Sequence, residues 1–358
     1  MFNNNALSFF IQTLLNDSSL SEPNLHIFYP RLICSIISGI ALITLIIIFI
    51  VMLIKSKVIK QNYLDSSMIL LRNDKSKVIL VSHWIIFFIA TSELIGCIGI
   101  YIHIPSQKDQ NDPSMLCQLQ GCFLIFCEVT TICFTSILSY WILLLALGKI
   151  QMDSFSTLKL PWLIYGYLPG SVLAIVPFLI KTENRSSYGL NGHWCWIFKK
   201  NDIIFNEMLP SNIFTIIVYC FSWGNLLFTI IAVTISLMKY KDLANKLRER
   251  NEDTYLKVLA FCDFIFYFPL IIIICWILPT ANRILTEVYN KDNIMLYIGH
   301  GVSLSLLGFV NSIVFLVYQF CKKGQNDDIR SVNIVRSVGE GDVDLFQDDD
   351  SESNLKGE

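Results

Sequence analysis

Seven stretches of this chain are long and apolar enough to cross a lipid bilayer, and no other feature limits its folding so tightly. They run from Ile33 to Ile54, Val78 to Ile104, Met115 to Leu147, Leu160 to Ile180, Ser211 to Met238, Leu256 to Thr280 and Met295 to Phe320. A hydrocarbon layer of ~30 Å takes about 20 helical residues to span. Lipid offers no partner to a backbone amide, so each stretch must satisfy its own groups, and a helix does this within one segment. The expected fold class is an all-α membrane protein, a seven-transmembrane helix bundle. Composition agrees: only 16% of the 358 residues are charged, against ~25% in soluble domains, and the mean hydropathy is +0.55.

Seven crossings put the two termini on opposite sides. With the amino terminus outside, nineteen of the 27 Lys and Arg residues fall on inner segments. The positive-inside bias therefore favours an outside amino terminus and a cytoplasmic carboxyl tail. Three regions follow: a short extracellular tail over 1–32, the bundle over 33–320, and an acidic cytoplasmic tail over 321–358 that reads as disordered. No basic patch of the kind that binds nucleic acid is present.

The sixth stretch carries Pro269 in its middle. Proline removes the amide that would bond the carbonyl of Ile265, so the expectation is a kink that lets the inner half of this helix swing; a static kink is the plainer reading. Ionisable or polar groups stand inside three other spans: Glu93 in the second, Glu128 in the third and Asn311 in the seventh. A charge at mid-membrane is costly, which makes these residues functional candidates. They either form one buried polar cluster or are each satisfied separately by a neighbour.

Of the eleven cysteines, Cys117 and Cys195 alone fall at the predicted outer, oxidising face, so a disulfide between them is expected. Cys195 lies in the loop YGLNGHWCWIFKK between Trp194 and Trp196, with Lys199 and Lys200 following. The tryptophans are read as part of a lid over the bundle mouth, or as interfacial anchors. Arg283, at the outer end of the sixth span, joins Lys199 and Lys200 as a candidate holder of an anionic ligand; the alternative is that it snorkels to the headgroups. Asn16 and Asn184 begin glycosylation sequons. Cys321, followed by two lysines, suits palmitoylation. Ser337 and Ser351 in the acidic tail are candidate phosphorylation sites for an arrestin-like or adaptor partner.

Several motifs together resemble the cyclic AMP receptor and cyclic-AMP-receptor-like family of the social amoebae, a class of seven-helix G-protein-coupled receptors. They are Cys117-Gln118-Leu119-Gln120-Gly121, Gly192-His193-Trp194-Cys195-Trp196-Ile197, FPLIIIICWILPTANRI from Phe268 to Ile284, which includes Trp276, and LLGFVNSIVF from Leu306 to Phe315. The likeness covers about Arg31 to Phe320. It implies a plasma-membrane receptor that senses an extracellular small molecule, cyclic AMP or another small anion, and activates a heterotrimeric G protein, without a cofactor. Where this class usually has an aspartate in the second span, Glu93 keeps the charge on a longer arm.

A transporter or channel is the alternative, but the chain shows no repeated half with matching broken helices. An intramembrane enzyme is disfavoured, because the one Gly-Glu-Gly-Asp run, at Gly339 to Asp342, lies in the polar tail. The seventh span has no lysine for a retinal Schiff base. The five histidines show no metal-binding spacing.

Overall fold

The computed structural model describes residues 22–63, 73–103, 112–149, 159–179, 181–182, 185–191, 194–197, 209–250, 252–288 and 293–340. The helices are α1 (Glu22–Tyr63), α2 (Asn73–Ile102), α3 (Met115–Ala146), α4 (Lys159–Leu179), α5 (Leu209–Arg250), α6 (Glu252–Cys275), α7 (Ile277–Val288) and α8 (Ile294–Glu340). Between α4 and α5 lie two small antiparallel hairpins. One joins β1 (Lys181–Thr182) to β2 (Arg185–Ser186), the other β3 (Tyr188–Asn191) to β4 (Trp194–Ile197).

The seven apolar stretches are all helical, with α6 and α7 together forming the sixth span, Phe264–Thr286. Aliphatic residues such as Ile36, Ile40, Ile43 and Ile47 on α1, and Ile216, Leu227 and Ile231 on α5, are exposed. An apolar belt of this kind suits lipid and not water, and the chain is a multi-pass membrane protein.

The third span is the central one. It packs against α2, α4, α5 and α6 and against both strands of the β3–β4 hairpin, and most of its length is buried. Its ends are defined locally. The Ser114 hydroxyl accepts a hydrogen bond from the Cys117 amide at 3.2 Å, a typical N-cap. At the other end Gly148 takes a positive φ of 65° and its amide reaches back to the Leu145 carbonyl, as glycine does after a helix. Polar groups stitch α3 to its neighbours. The Ser92 and Thr131 hydroxyls lie 3.0 Å apart, and Ser136 donates to the Asn225 carbonyl at 3.2 Å; the Tyr165 hydroxyl then links α4 to α5 by donating to Asn225 Oδ1 at 2.6 Å.

Three features depart from the sequence reading. First, α1 begins at Glu22, so Arg31, taken as the end of an outer tail, lies within a span and is buried. Pro30 precedes it without ending the helix.

Second, the sixth span is helical through Pro269 and is interrupted at Trp276. The cause is Pro279, which has no amide to offer the carbonyl of Cys275 and whose ring crowds that carbonyl. Hydrogen bonds from Trp276 to Ile272 and from Thr280 to Trp276, both 3.0 Å, carry the chain across the break.

Third, the chain divides into two compact units, Met1–Val314 and Phe315–Glu358. The backbone is helical from Phe315 to Glu340, and residues 341–358 of the expected acidic tail lie outside the described residues.

Candidate functional site

The β3–β4 hairpin closes one end of the bundle. Its register pairs Tyr188 with Ile197, Gly189 with Trp196, Leu190 with Cys195 and Asn191 with Trp194. All four residues of β4 are buried. Three anchors hold it. A disulfide joins Cys195 to Cys117 on α3, with the two Cα atoms 5.3 Å apart. One turn along α3, the Gln120 side chain accepts from the Cys195 amide at 3.2 Å and donates to the carbonyls of Gly99 at 3.2 Å and His103 at 2.8 Å. One amide group thus ties the hairpin to the ends of two spans. The third anchor is Tyr188, whose hydroxyl donates to the Ala174 carbonyl on α4 at 2.7 Å and whose ring lies directly over Gly121. Burial pushes this phenol well above its ordinary range, so it stays a neutral donor.

Beneath the hairpin the bundle holds two adjoining cavities. The larger is lined by Arg31, Glu93, Cys127, Glu128, Trp276 and Ser305, among others. The smaller is lined by Glu128, Tyr219, Trp276, Pro279, Arg283 and His300, among others. Glu128 and Trp276 belong to both. The larger offers about 40 Å³ to water, enough for a few molecules at the ~10–15 Å³ that each needs. A drug-sized ligand takes a cleft of about 300 Å³ or more, so in this conformation the site is closed.

The two arginines that line the cavities lie against aromatic rings. The Arg31 guanidinium stands over the Trp194 ring at 4.6 Å from its centroid. Arg283 lies within cation–π range of Trp194 at 6.0 Å, Trp196 at 5.8 Å and Tyr219 at 5.6 Å. Trp194 also meets His300 edge-on at 4.8 Å and Tyr297 at 5.6 Å. The His300 ring contacts the Asn282 amide at 3.1 Å. Arg31 and Arg283 are both buried. Among the described residues, Arg31 Nε, Thr280 Oγ1, Asn282 Oδ1 and Trp196 Nε1 are buried and find no hydrogen-bond partner, and orphaned groups of this kind fit water or a ligand.

Deeper in the larger cavity, the Asn311 side-chain amide donates to Glu93 Oε1 at 3.0 Å. Among the described residues, Glu93 Oε2, Asn311 Oδ1 and the Ser305 hydroxyl find no partner. Glu93 and Asn311 therefore form a pair, and Glu128 joins Glu93 only by facing the same cavity.

The structure thus brings Trp194, Trp196, Arg283, Glu128 and Trp276 together, with Glu93 and Asn311 below them. Both tryptophans are buried, and Arg283 points into the bundle and not toward headgroups. Pro269 is buried in α6 but lines neither cavity. Asn16, Asn184, Lys199, Lys200 and Ser351 lie outside the described residues, and Cys321 and Ser337 lie in the helical backbone of α8 with their side chains undescribed. Sequence reading missed Arg31, Gln120, Asn282 and His300. Gln120 stands within a quoted motif three residues after Cys117, on the face that meets the hairpin, and this spacing was its available signal.

His103 lies close to the Cys117 and Cys195 sulfurs, but those sulfurs are bonded to each other and offer no thiolate to a metal.

No protein-family model matches the chain, and no curated protein matches it either. Among solved structures it is similar to the crystal structure of squid rhodopsin, with a TM-score of 0.53 and 12% sequence identity, covering 86% of each chain. At that identity the likeness is one of fold, and the arrangement of seven helices is the rhodopsin-like one.

Proposed function

We propose that the chain is a plasma-membrane G-protein-coupled receptor, similar to the cyclic AMP receptor-like class, that senses an extracellular small anion such as cyclic AMP and activates a heterotrimeric G protein. The observation that carries this reading is the position of Arg283. It is a buried cation beneath a disulfide-tethered hairpin, in the same helical segment as the break at Trp276, and Trp276 lines the same cavity. An anion drawn to Arg283 biases the short helix α7, and the interruption beside it lets α6 respond. Such a response needs differential affinity for two bundle states; a factor of ten corresponds to about 1.4 kcal/mol.

The disulfide supports an outward-facing hairpin, since such bonds form and persist on the oxidising side. The amino terminus is then outside, and the basic segment Lys239 to Arg250 that prolongs α5 is cytoplasmic, available to a G protein. The tail beyond Cys321 is the proposed region for an arrestin-like or adaptor partner, recruited through phosphorylated Ser337 and Ser351. Asn16 and Asn184 fall on the glycosylated side, and Cys321 on the palmitoylated one.

The test is guanine-nucleotide exchange on a heterotrimeric G protein in membranes that carry the receptor, titrated with cyclic AMP, inorganic phosphate and simple carboxylates. Saturable acceleration by one of these anions is expected. Solute uptake into vesicles that lack a G protein, with no effect on exchange, would point to the transporter reading instead.

A further inference from the structure

We infer that Glu128 is a resident counter-ion shared by Arg31 and Arg283, and that a small anion, phosphate ester or carboxylate, binds between the two guanidiniums by taking its place. The inference rests on the receptor reading above and adds to it a second arginine and an internal competitor.

Both guanidiniums are buried and both approach the same ring, Trp194. Two like charges so placed repel, and burial removes the water that would screen them. A compensating anion is required. Two carboxylates are at hand, but Glu93 is engaged by the Asn311 amide. Glu128, on α3, is the other. It lines the cavity that holds Arg31 and also the cavity that holds Arg283.

What makes Glu128 displaceable is the looseness of its attachment. Among the described residues, neither guanidinium forms a direct ion pair with it, and no hydrogen bond fixes its carboxylate. It faces open cavity on two sides, with the unpartnered Nε of Arg31 nearby in the first. A free anion can offer what Glu128 does not, direct charge-assisted hydrogen bonds to the forked donors of arginine. The aromatic lining of Tyr219, Trp223 and Trp276 suits a ligand with an apolar or planar body beside its charge. Glu128 shares both cavities with Trp276, so its displacement is felt at the break in the sixth span.

The experiment is thermal unfolding of the purified full-length protein, titrated separately with cyclic AMP, inorganic phosphate and succinate, for wild type and Glu128→Gln. With its competitor removed, Glu128→Gln should need about tenfold less of the effective anion for half-maximal stabilisation, within the usual range of site-to-site coupling. It should also be less stable than wild type when no anion is present. Phosphate or cyclic AMP acting alone identifies a phosphate site, and succinate acting alone identifies a carboxylate site.

If anions stabilise wild type but the Glu128→Gln midpoint is unmoved or higher, the counter-ion inference falls while the anion receptor stands. If no anion stabilises either protein, both fall. Should Glu128→Gln fail to fold, the paired variant Arg31→Gln/Glu128→Gln decides. Removing one charge of each sign should restore the yield, and a pair no better than the single variant would overturn the counter-ion role.

Discussion

The guanidinium carbon of Arg31 lies 4.6 Å from the centroid of the Trp194 ring, so the first helix and the hairpin over the bundle hold each other through a buried cation–π contact. Such contacts contribute about 0.5–2 kcal/mol. In a double-mutant cycle of Arg31→Gln and Trp194→Leu, thermal unfolding should show a coupling of that size. Additive effects would mean that the contact contributes nothing of its own.

Tyr188 and Gly121 are equally close. A Cβ at Gly121 would sit 2.5 Å from a carbon of the Tyr188 ring, and the ring is pinned at its far end by its bond to Ala174. Gly121→Ala should therefore lift β3 and cost about 1–3 kcal/mol from overpacking. Its unfolding temperature should fall, and a second change, Tyr188→Ala, should relieve most of the clash. An unchanged melting curve for Gly121→Ala would contradict this packing.

The Cys117–Cys195 bridge closes a sequence separation of 78 residues. Loop-closure entropy for that length corresponds to about 4–5 kcal/mol as an upper estimate. Cys117→Ser/Cys195→Ser should unfold at a markedly lower temperature and show weaker anion binding, since the hairpin carries Trp194. Equal stability of the variant and the wild type would refute the tether.

Removing the Glu93 carboxylate should depend on its replacement. Glu93→Gln keeps an oxygen to accept from the Asn311 amide and should be nearly neutral. Glu93→Leu leaves that amide buried and unpaired, at a cost of about 1–3 kcal/mol. Thermal unfolding of the two variants gives the comparison, and equal losses would show that the hydrogen bond is not what matters at this position.

The break at Trp276 makes the two prolines of the sixth span distinguishable. Pro279→Ala supplies the amide missing at Cys275 and should straighten the junction of α6 and α7. It should blunt G-protein activation more than Pro269→Ala does. Nucleotide-exchange rates at saturating ligand provide the check, and the opposite order would return the hinge to Pro269.

The seven spans were legible because lipid imposes one solution on a long apolar run, and the cysteine pair because only two thiols fell at one face. Glu93, Glu128 and Asn311 announced themselves as polar residues where hydrocarbon forbids them. Arg31 did not, because it stands at the edge of an apolar run, where a basic residue reads as the end of a span. Its burial depends on α1 starting at Glu22 and on Gly301, where even a Cβ would come 3.0 Å from Arg31 Cδ. That is a contact between residues 270 positions apart in sequence, and no local pattern encodes it. The position of the helix break was obscured for a similar reason. Pro269 and Pro279 carry the same local penalty, so the sequence alone does not say which of them interrupts the helix.

The most direct measurement is the ligand dose–response of G-protein activation for wild type and Arg283→Ala at matched surface expression. Arg283→Ala should shift the curve to at least about tenfold higher anion concentration, consistent with the loss of one buried charge-assisted contact. A curve that superimposes on wild type would contradict an anion held beneath the hairpin.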